Sequence, residues 1–86
     1  MKLIFCPLCD DIVKIRTEQE RRCWCGKSGG RYLSDGLHAI TFGSAVPIGF
    51  NNASFLRAVK NKPKEGSGHE FTAFVIPDIC KTIERQ

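Results

Sequence analysis

Two close pairs of cysteines limit the possible folds of this chain more than any other feature. Two residues separate Cys6 from Cys9, and thirteen further residues lead to a second pair, which encloses Trp24. Zinc takes four ligands at tetrahedral corners, and thiolate is among its preferred ligands. Ordinary buried thiols rarely come as two close pairs, whereas such spacing is typical of metal sites. We therefore predict one structural Zn²⁺, with the ligands Cys6, Cys9, Cys23 and Cys25.

The local sequence suits each pair to a metal. A Cys-x-x-Cys turn points two sulfurs at one position, and its backbone N–H groups stabilise thiolate charge. Residues i and i+2 of an extended strand face the same side. We therefore expect Cys23 and Cys25 to face the metal, with Trp24 pointing away. Gly26 follows directly and is predicted to adopt a positive φ, which glycine allows at no steric cost.

The stretch between the two pairs has the pattern of a β-hairpin. Residues 12–16 are strand-forming, residues 17–20 are polar, and residues 21–24 lead back toward the first pair. With a cysteine pair on each side, residues 3–33 resemble a zinc ribbon, and Cys6-Pro7-Leu8-Cys9 is similar to the knuckles of rubredoxins. The second pair is Cys-x-Cys where the usual ribbon has Cys-x-x-Cys. The resemblance implies a structural zinc or, for rubredoxin, one iron that carries electrons.

The whole chain is predicted to form one small domain. A chain of 86 residues buries a limited apolar core, so a metal or a disulfide is expected to stabilise it. Residues 1–33 are the predicted zinc ribbon, and residues 34–86 a β-rich extension with a helix near residues 52–61. The predicted fold class is α+β, mostly β, in which the ribbon hairpin continues into a small antiparallel sheet.

The segments after residue 44 differ in how clearly they indicate an element. Residues 45–50 are apolar but contain Pro47 and a glycine, which favours an edge strand or an irregular segment. Asn51 is a good N-cap for the predicted helix. Residues 70–76 are apolar on both faces of a strand, which predicts a central, buried position. Residues 79–85 are predicted to form a last strand.

Charge is concentrated at the two ends of the chain. The formal net charge is +4 with neutral thiols. Four thiolates and one Zn²⁺ lower it to about +2, so net basicity is a weak argument for any partner. Several basic side chains and one aromatic nevertheless lie around the predicted ribbon and are candidates for partner binding. These are Arg16, Arg21, Arg22, Trp24, Lys27 and Arg31.

Motifs for catalysis are incomplete. Gly26-Lys27-Ser28 resembles the end of a phosphate-binding loop, but the glycine that the motif needs five positions earlier is Arg21. His69-Glu70 lacks the second histidine of a metalloprotease helix. Four cysteines also fill the coordination sphere of zinc, whereas a catalytic zinc keeps an open position. We therefore predict no enzymatic activity and no small-molecule substrate.

Two residues outside the pairs leave alternatives open. Cys80 is a candidate nucleophile with a histidine as its base, although packing as a buried thiol is favoured. His38 or Cys80 is also an alternative to one of the four metal ligands. Zinc and iron remain alternatives for the metal.

Two classes of function remain. The first is a protein-interaction module that acts as an adaptor, a regulator or an inhibitor, with Trp24 in the interface. The second is a nucleic-acid-binding ribbon, in which the basic residues contact phosphates and Trp24 stacks on a base. A rubredoxin-like electron carrier is a minor third. The chain shows no signal-peptide pattern and no apolar run long enough for a membrane span, so a cytoplasmic location is expected.

Overall fold

The computed structural model describes residues 1–86 and contains eight strands and one short helix. The strands form two four-stranded sheets, so the fold is α+β and mostly β, as predicted. The helix is too short to cross a membrane. The elements are β1 (Lys2–Phe5), β2 (Ile12–Lys14), β3 (Arg21–Arg22), β4 (Gly29–Tyr32), β5 (Ala39–Phe42), β6 (Val46–Phe50), α1 (Asn52–Lys60), β7 (Ala73–Val75) and β8 (Ile83–Arg85).

The core is formed by side chains of both sheets. The first sheet has the order β2-β1-β6-β7 and is antiparallel throughout. The second has the order β3-β4-β5-β8, and only its β5–β8 pair is parallel. Ile4 and Val13 from the first sheet pack in one cluster with Ala39 of the second, with Ile15 and with Ala45. Cys6 and Cys23 belong to the same cluster, so the candidate metal centre is continuous with the core.

Each cysteine pair lies at the tip of its own hairpin. β1 pairs with β2 and β3 pairs with β4, whereas β2 and β3 belong to different sheets. The predicted hairpin between residues 12–16 and 21–24 was therefore wrong. After the second cysteine pair the chain turns back along β3, and glycines let β4 lie close to both of its neighbours. A Cβ at Gly29 would collide with the backbone oxygen of Arg21 in β3, and one at Gly30 would lie 2.7 Å from the backbone oxygen of Ile40 in β5.

The prediction of an edge or irregular segment at residues 45–50 was also wrong, because β6 lies inside the first sheet between β1 and β7. Ile76 donates its N–H to the Pro47 oxygen at 3.0 Å. Pro47 has no N–H to donate in return, and the bond that it cannot form is the one to Ile76, just beyond the end of β7. Only one ladder hydrogen bond is therefore lost. Gly49 is covered by the Phe74 ring, which would lie 2.6 Å from an added Cβ.

Helix α1 begins where its cap was predicted. The Asn51 side chain accepts a hydrogen bond from the Ser54 N–H at 3.0 Å. Ala58 is the only buried residue of the helix. The helix is anchored through Phe55, whose ring lies 5.5 Å from that of Phe50 and 5.0 Å from that of Phe71.

β7 is shorter and more exposed than predicted. It lies at the edge of the first sheet, and all three of its residues are exposed. Because residues 70–76 are apolar on both faces, a buried central strand was predicted. The structure gives these side chains other roles. Phe71 packs beside the helix, Phe74 covers Gly49, and Val75 remains 70% exposed. The predicted last strand is present as β8.

The two ends of the first sheet differ in character. β1 runs toward Cys6, and Phe5 at that end pairs with Val46 of β6. At the opposite end, Phe50 of β6 pairs with Ala73 and packs in the aromatic cluster beside α1. The cysteine pairs and the helix thus lie at opposite ends of the sheet.

Candidate metal centre

The first cysteine pair is held by a tight turn between β1 and β2. The Cys6 N–H donates to the Asp11 oxygen at 2.9 Å, and the Asp10 N–H donates to the Cys6 oxygen at 2.7 Å. Asp10 takes a left-handed backbone with φ 60°, which aspartate tolerates better than most residues. These bonds fix the backbone on both sides of Cys6, whose side chain is fully buried.

The second pair is held by the turn between β3 and β4. The Cys23 N–H donates to the Ser28 oxygen at 2.9 Å, and the Gly26 N–H donates to the Cys23 oxygen at 3.0 Å. Cys23 and Cys25 therefore lie in a turn and not in the extended strand that was predicted. The predicted positive φ of Gly26 is confirmed, at 77°.

The four sulfurs form one compact group. All of them lie within 4.8 Å of one another. The Cys6 and Cys25 sulfurs are 3.8 Å apart, and those of Cys23 and Cys25 are 3.4 Å apart. Zinc–sulfur bonds of about 2.3 Å at tetrahedral angles place neighbouring sulfurs about 3.8 Å apart. The cluster is therefore at metal-binding distance and consistent with a zinc-ribbon-like site.

Hydrogen bonds to Cys6 favour its thiolate form. The Ser28 hydroxyl donates to the Cys6 sulfur at 3.3 Å, and both residues are fully buried. This bond lowers the pKa of Cys6 to about 6 against the opposing effect of burial, and the N–H groups of Cys9 and Leu8 add to it. The serine thus supports a metal ligand from the other hairpin.

The pKa values of Cys23 and Cys25 shift in opposite directions. Burial opposes ionisation of Cys23, but hydrogen bonds from the Ser28 N–H and the Cys25 thiol outweigh it and lower the pKa. The Lys27 N–H favours the Cys25 thiolate, yet the nearby Cys23 sulfur and burial raise the pKa of Cys25 to about 11. Sulfurs this close do not all ionise without a cation. A divalent metal removes that conflict, so the donor set fits a metal ion.

A side chain of the first turn holds the second turn in place. The Asp11 carboxylate accepts a hydrogen bond from the Trp24 N–H at 2.7 Å. The Trp24 indole itself is 87% exposed, and Leu8 of the first turn is 61% exposed. The prediction that Trp24 points away from the sulfurs is confirmed, because a side chain this exposed packs neither on the sulfurs nor on the rest of the domain.

The basic residues predicted around the site are divided by the strand register. Arg22 pairs with Gly29 and Arg21 with Gly30, so the two arginines face opposite sides of the second sheet. Arg31 lies on the same side as Arg22. Arg22 forms an ion pair with Glu20 at 3.0 Å and lies 4.7 Å from the centre of the Phe42 ring. The other four predicted basic residues form no ion pair, namely Arg16, Arg21, Lys27 and Arg31.

The two alternative ligands lie outside the sulfur group, which contains neither His38 nor Cys80. His38 instead contacts the Asp35 carboxylate, and backbone N–H groups together with His38 lower the pKa of Asp35 to about 2. The Cys80 sulfur lies 3.3 Å from the Thr82 hydroxyl.

Ser28 is the residue of the site that sequence reasoning missed. At the level of the sequence it was considered only as part of the incomplete phosphate-loop motif. The available signal was its position three residues after Cys25, in the stretch Gly26-Lys27-Ser28 that leads back into the next strand. The comparisons with known proteins add no relative, because no family model, curated protein or solved structure matches the chain.

Proposed function

We propose that the chain is a small, non-enzymatic zinc-binding module that binds a protein partner through the tips of its two cysteine turns. The knuckle surface, as we name it, consists of Pro7, Leu8 and Trp24. The observation that carries the proposal is the Trp24 side chain, which is 87% exposed although its backbone is fixed by Asp11. An aromatic side chain on a rigid backbone is a typical anchor of a protein interface.

The metal supports the proposal by fixing the knuckle surface. Leu8 borders Cys9, and Trp24 lies between Cys23 and Cys25. One ion bound by all four sulfurs joins both tips and keeps their exposed apolar side chains in a constant arrangement. Little conformational entropy is then lost when a partner binds, which favours affinity. Zinc is the proposed metal because thiolates at tetrahedral spacing suit it.

The charges near the knuckle surface favour a protein over a nucleic acid. Four thiolates with one divalent metal carry a net negative charge, and Asp10 and Asp11 lie in the same turns. Arg22 and Lys27 only partly offset this charge. Phosphate binding requires an excess of positive charge, so an apolar interface with a polar rim is the better fit.

The absence of catalysis is part of the proposal. A metal with four cysteine ligands has no open position for water or substrate. The largest cavity, of about 430 Å³, lies at the surface among Ser67, Gly68, His69, Glu70 and Phe71. It belongs to the loop before β7 and contains no side chain of the candidate metal centre.

Affinity capture with matched baits tests the proposal. The baits are the zinc-loaded wild type, Trp24→Ala and Leu8→Ala, with Ile79→Ala as the control, because Ile79 is 93% exposed and lies far along the chain. We expect a protein that the wild type and Ile79→Ala retain and that both knuckle variants lose, with unchanged metal content. Equal capture by all four baits would place the interface elsewhere.

A nucleic-acid-binding ribbon is the second candidate. It is favoured by one observation, that Arg16, Arg21, Lys27 and Arg31 form no ion pair and are available to phosphates. Fluorescence anisotropy of the zinc-loaded protein with single-stranded and duplex oligonucleotides at two salt concentrations separates the candidates. Binding that weakens steeply with salt supports this one. Absence of binding at low salt, or binding that an Arg21→Ala, Arg31→Ala double variant leaves unchanged, removes it.

An electron carrier with one iron is the remaining minor candidate, because four thiolates also suit iron. Metal analysis of the protein purified from its native host distinguishes the two metals. Iron with a reversible one-electron couple supports the carrier, and zinc excludes it.

A further inference from the structure

The outer edge of β7 exposes unpaired backbone groups in a defined order. β7 is the last strand of its sheet and pairs with β6 only. The backbone N–H of Asn51 donates to the Thr72 oxygen at 2.9 Å, and that of Ile76 donates to the Pro47 oxygen at 3.0 Å, so Thr72 and Ile76 face β6. Residues alternate between the two sides of an antiparallel ladder. The N–H and C=O groups of Ala73 and Val75 therefore point away from β6, and nothing in the protein pairs with them.

This edge is complementary to itself. When two copies of β7 lie antiparallel about a twofold axis at Phe74, Ala73 of each copy is opposite Val75 of the other. Each such pair exchanges two hydrogen bonds, so all four outward N–H groups and all four outward C=O groups of the two copies are used. The result is a continuous eight-stranded antiparallel sheet.

The edge has only one of the features by which proteins usually block such pairing. Natural edge strands are protected by being very short, or by lysine, proline, bulges or covering loops. β7 is short, at three residues, but it contains only Ala73, Phe74 and Val75, all of them exposed, and no charge or proline. Next to it, Phe71 is 36% exposed, while Phe74 and Val75 are 51% and 70% exposed. Apolar side chains thus accompany the free backbone groups.

We propose that the outer edge of β7 is a docking site for a second copy of this chain, which forms a symmetric dimer through it. The exposed parts of Phe71 and Phe74 amount to roughly 170 Å² per copy, if a full aromatic side chain is taken as about 200 Å², and the exposed part of Val75 adds less than that. A standard interface buries about 800 Å² per partner. The dimer is therefore weak and forms only at high protein concentration. The proposal does not depend on the knuckle surface.

Sedimentation equilibrium of the zinc-loaded protein over a concentration series up to about 1 mM tests the proposal. The wild type is expected to shift from 9.6 kDa toward twice that mass. Val75→Pro removes one outward N–H without touching the ladder to β6, and it should remain monomeric. Val75→Ala removes the same side chain but keeps the N–H, and it should still dimerise. A wild type that stays monomeric, or a Val75→Pro variant that dimerises equally well, overturns the proposal.

A cross-link provides a second measurement that does not depend on the fold of the proline variant. Facing residues at the twofold axis are a non-hydrogen-bonded pair, in which the Cα atoms are about 4.5 Å apart. This separation suits a disulfide. Phe74→Cys is therefore expected to form a covalent dimer under mild oxidation, whereas Leu56→Cys, also at an exposed position, is not. Equal cross-linking of both variants, or none of Phe74→Cys, contradicts the dimer.

Discussion

The Ser28 hydroxyl links the two halves of the candidate metal centre, and its removal has a calculable effect. Ser28 follows the second cysteine pair and donates to the Cys6 sulfur of the first pair at 3.3 Å, in a fully buried position. Hydrogen bonds to the ligands of a metal typically change its affinity 10- to 100-fold. We therefore expect Ser28→Ala to weaken zinc binding by about 10-fold or more, which corresponds to about 1.4 kcal/mol.

The same substitution has a consequence for pH. The Ser28 bond is the largest cause that holds the pKa of Cys6 at about 6, below the ordinary value of 9.0. Without it the pKa rises, so that more Cys6 carries a proton near neutral pH. Metal binding must then displace this proton. Zinc affinity of the variant should fall more steeply than that of the wild type as the pH decreases from about 9 to about 6.

Competition titration with a chromophoric chelator at several pH values measures both effects. Ser44→Ala is the matched control, because Ser44 is exposed and its side chain forms no hydrogen bond within the protein. Calorimetry in buffers of different ionisation enthalpy counts the protons released on zinc binding, and Ser28→Ala should release more than the wild type. If affinity and proton release are unchanged in Ser28→Ala, the role assigned to this hydroxyl is wrong.

Further predictions concern the cap, a glycine and a ligand. Asn51→Ala should lower the free energy of unfolding by about 1 kcal/mol in chemical denaturation, because the Ser54 N–H loses its acceptor. Gly36→Ala should cost about 1–2 kcal/mol for its positive φ alone. Gly43→Ala should cost clearly more, because its Cβ would also collide with the Lys27 oxygen. Equal costs of the two glycine variants would contradict the close contact. Cys23→Ser should lower metal content and near-UV signal together, and an unchanged signal in a metal-free variant would contradict the coupling.

Most of what could be predicted about the metal site came from the spacing of the cysteines. Two close pairs predicted that the four sulfurs come together, because such spacing is typical of cysteines that bind one metal ion. The helix was also predictable, since Asn51 is a local signal for its own cap. Ser28 was not, because its contact with Cys6 spans the two hairpins and depends on how the sheets pack.

The strand errors have a common physical cause. Pro47 and Gly49 are unfavourable inside a sheet in general, but here the missing donor lies beyond the end of β7 and a ring from β7 covers the glycine. Both compensations come from residues more than 20 positions away in the chain. Apolar residues on both faces of β7 predicted a buried central strand, but an exposed edge strand can have the same pattern. Sequence periodicity reports local preference, and strand order depends on distant partners.

X-ray absorption spectroscopy of the purified protein at the zinc edge tests the central claim most directly. The account predicts one zinc per chain, surrounded by four sulfurs at about 2.3 Å and no lighter ligand. A shell that contains nitrogen or oxygen, or a full zinc content in Cys6→Ser with an unchanged spectrum, would contradict the four-cysteine site.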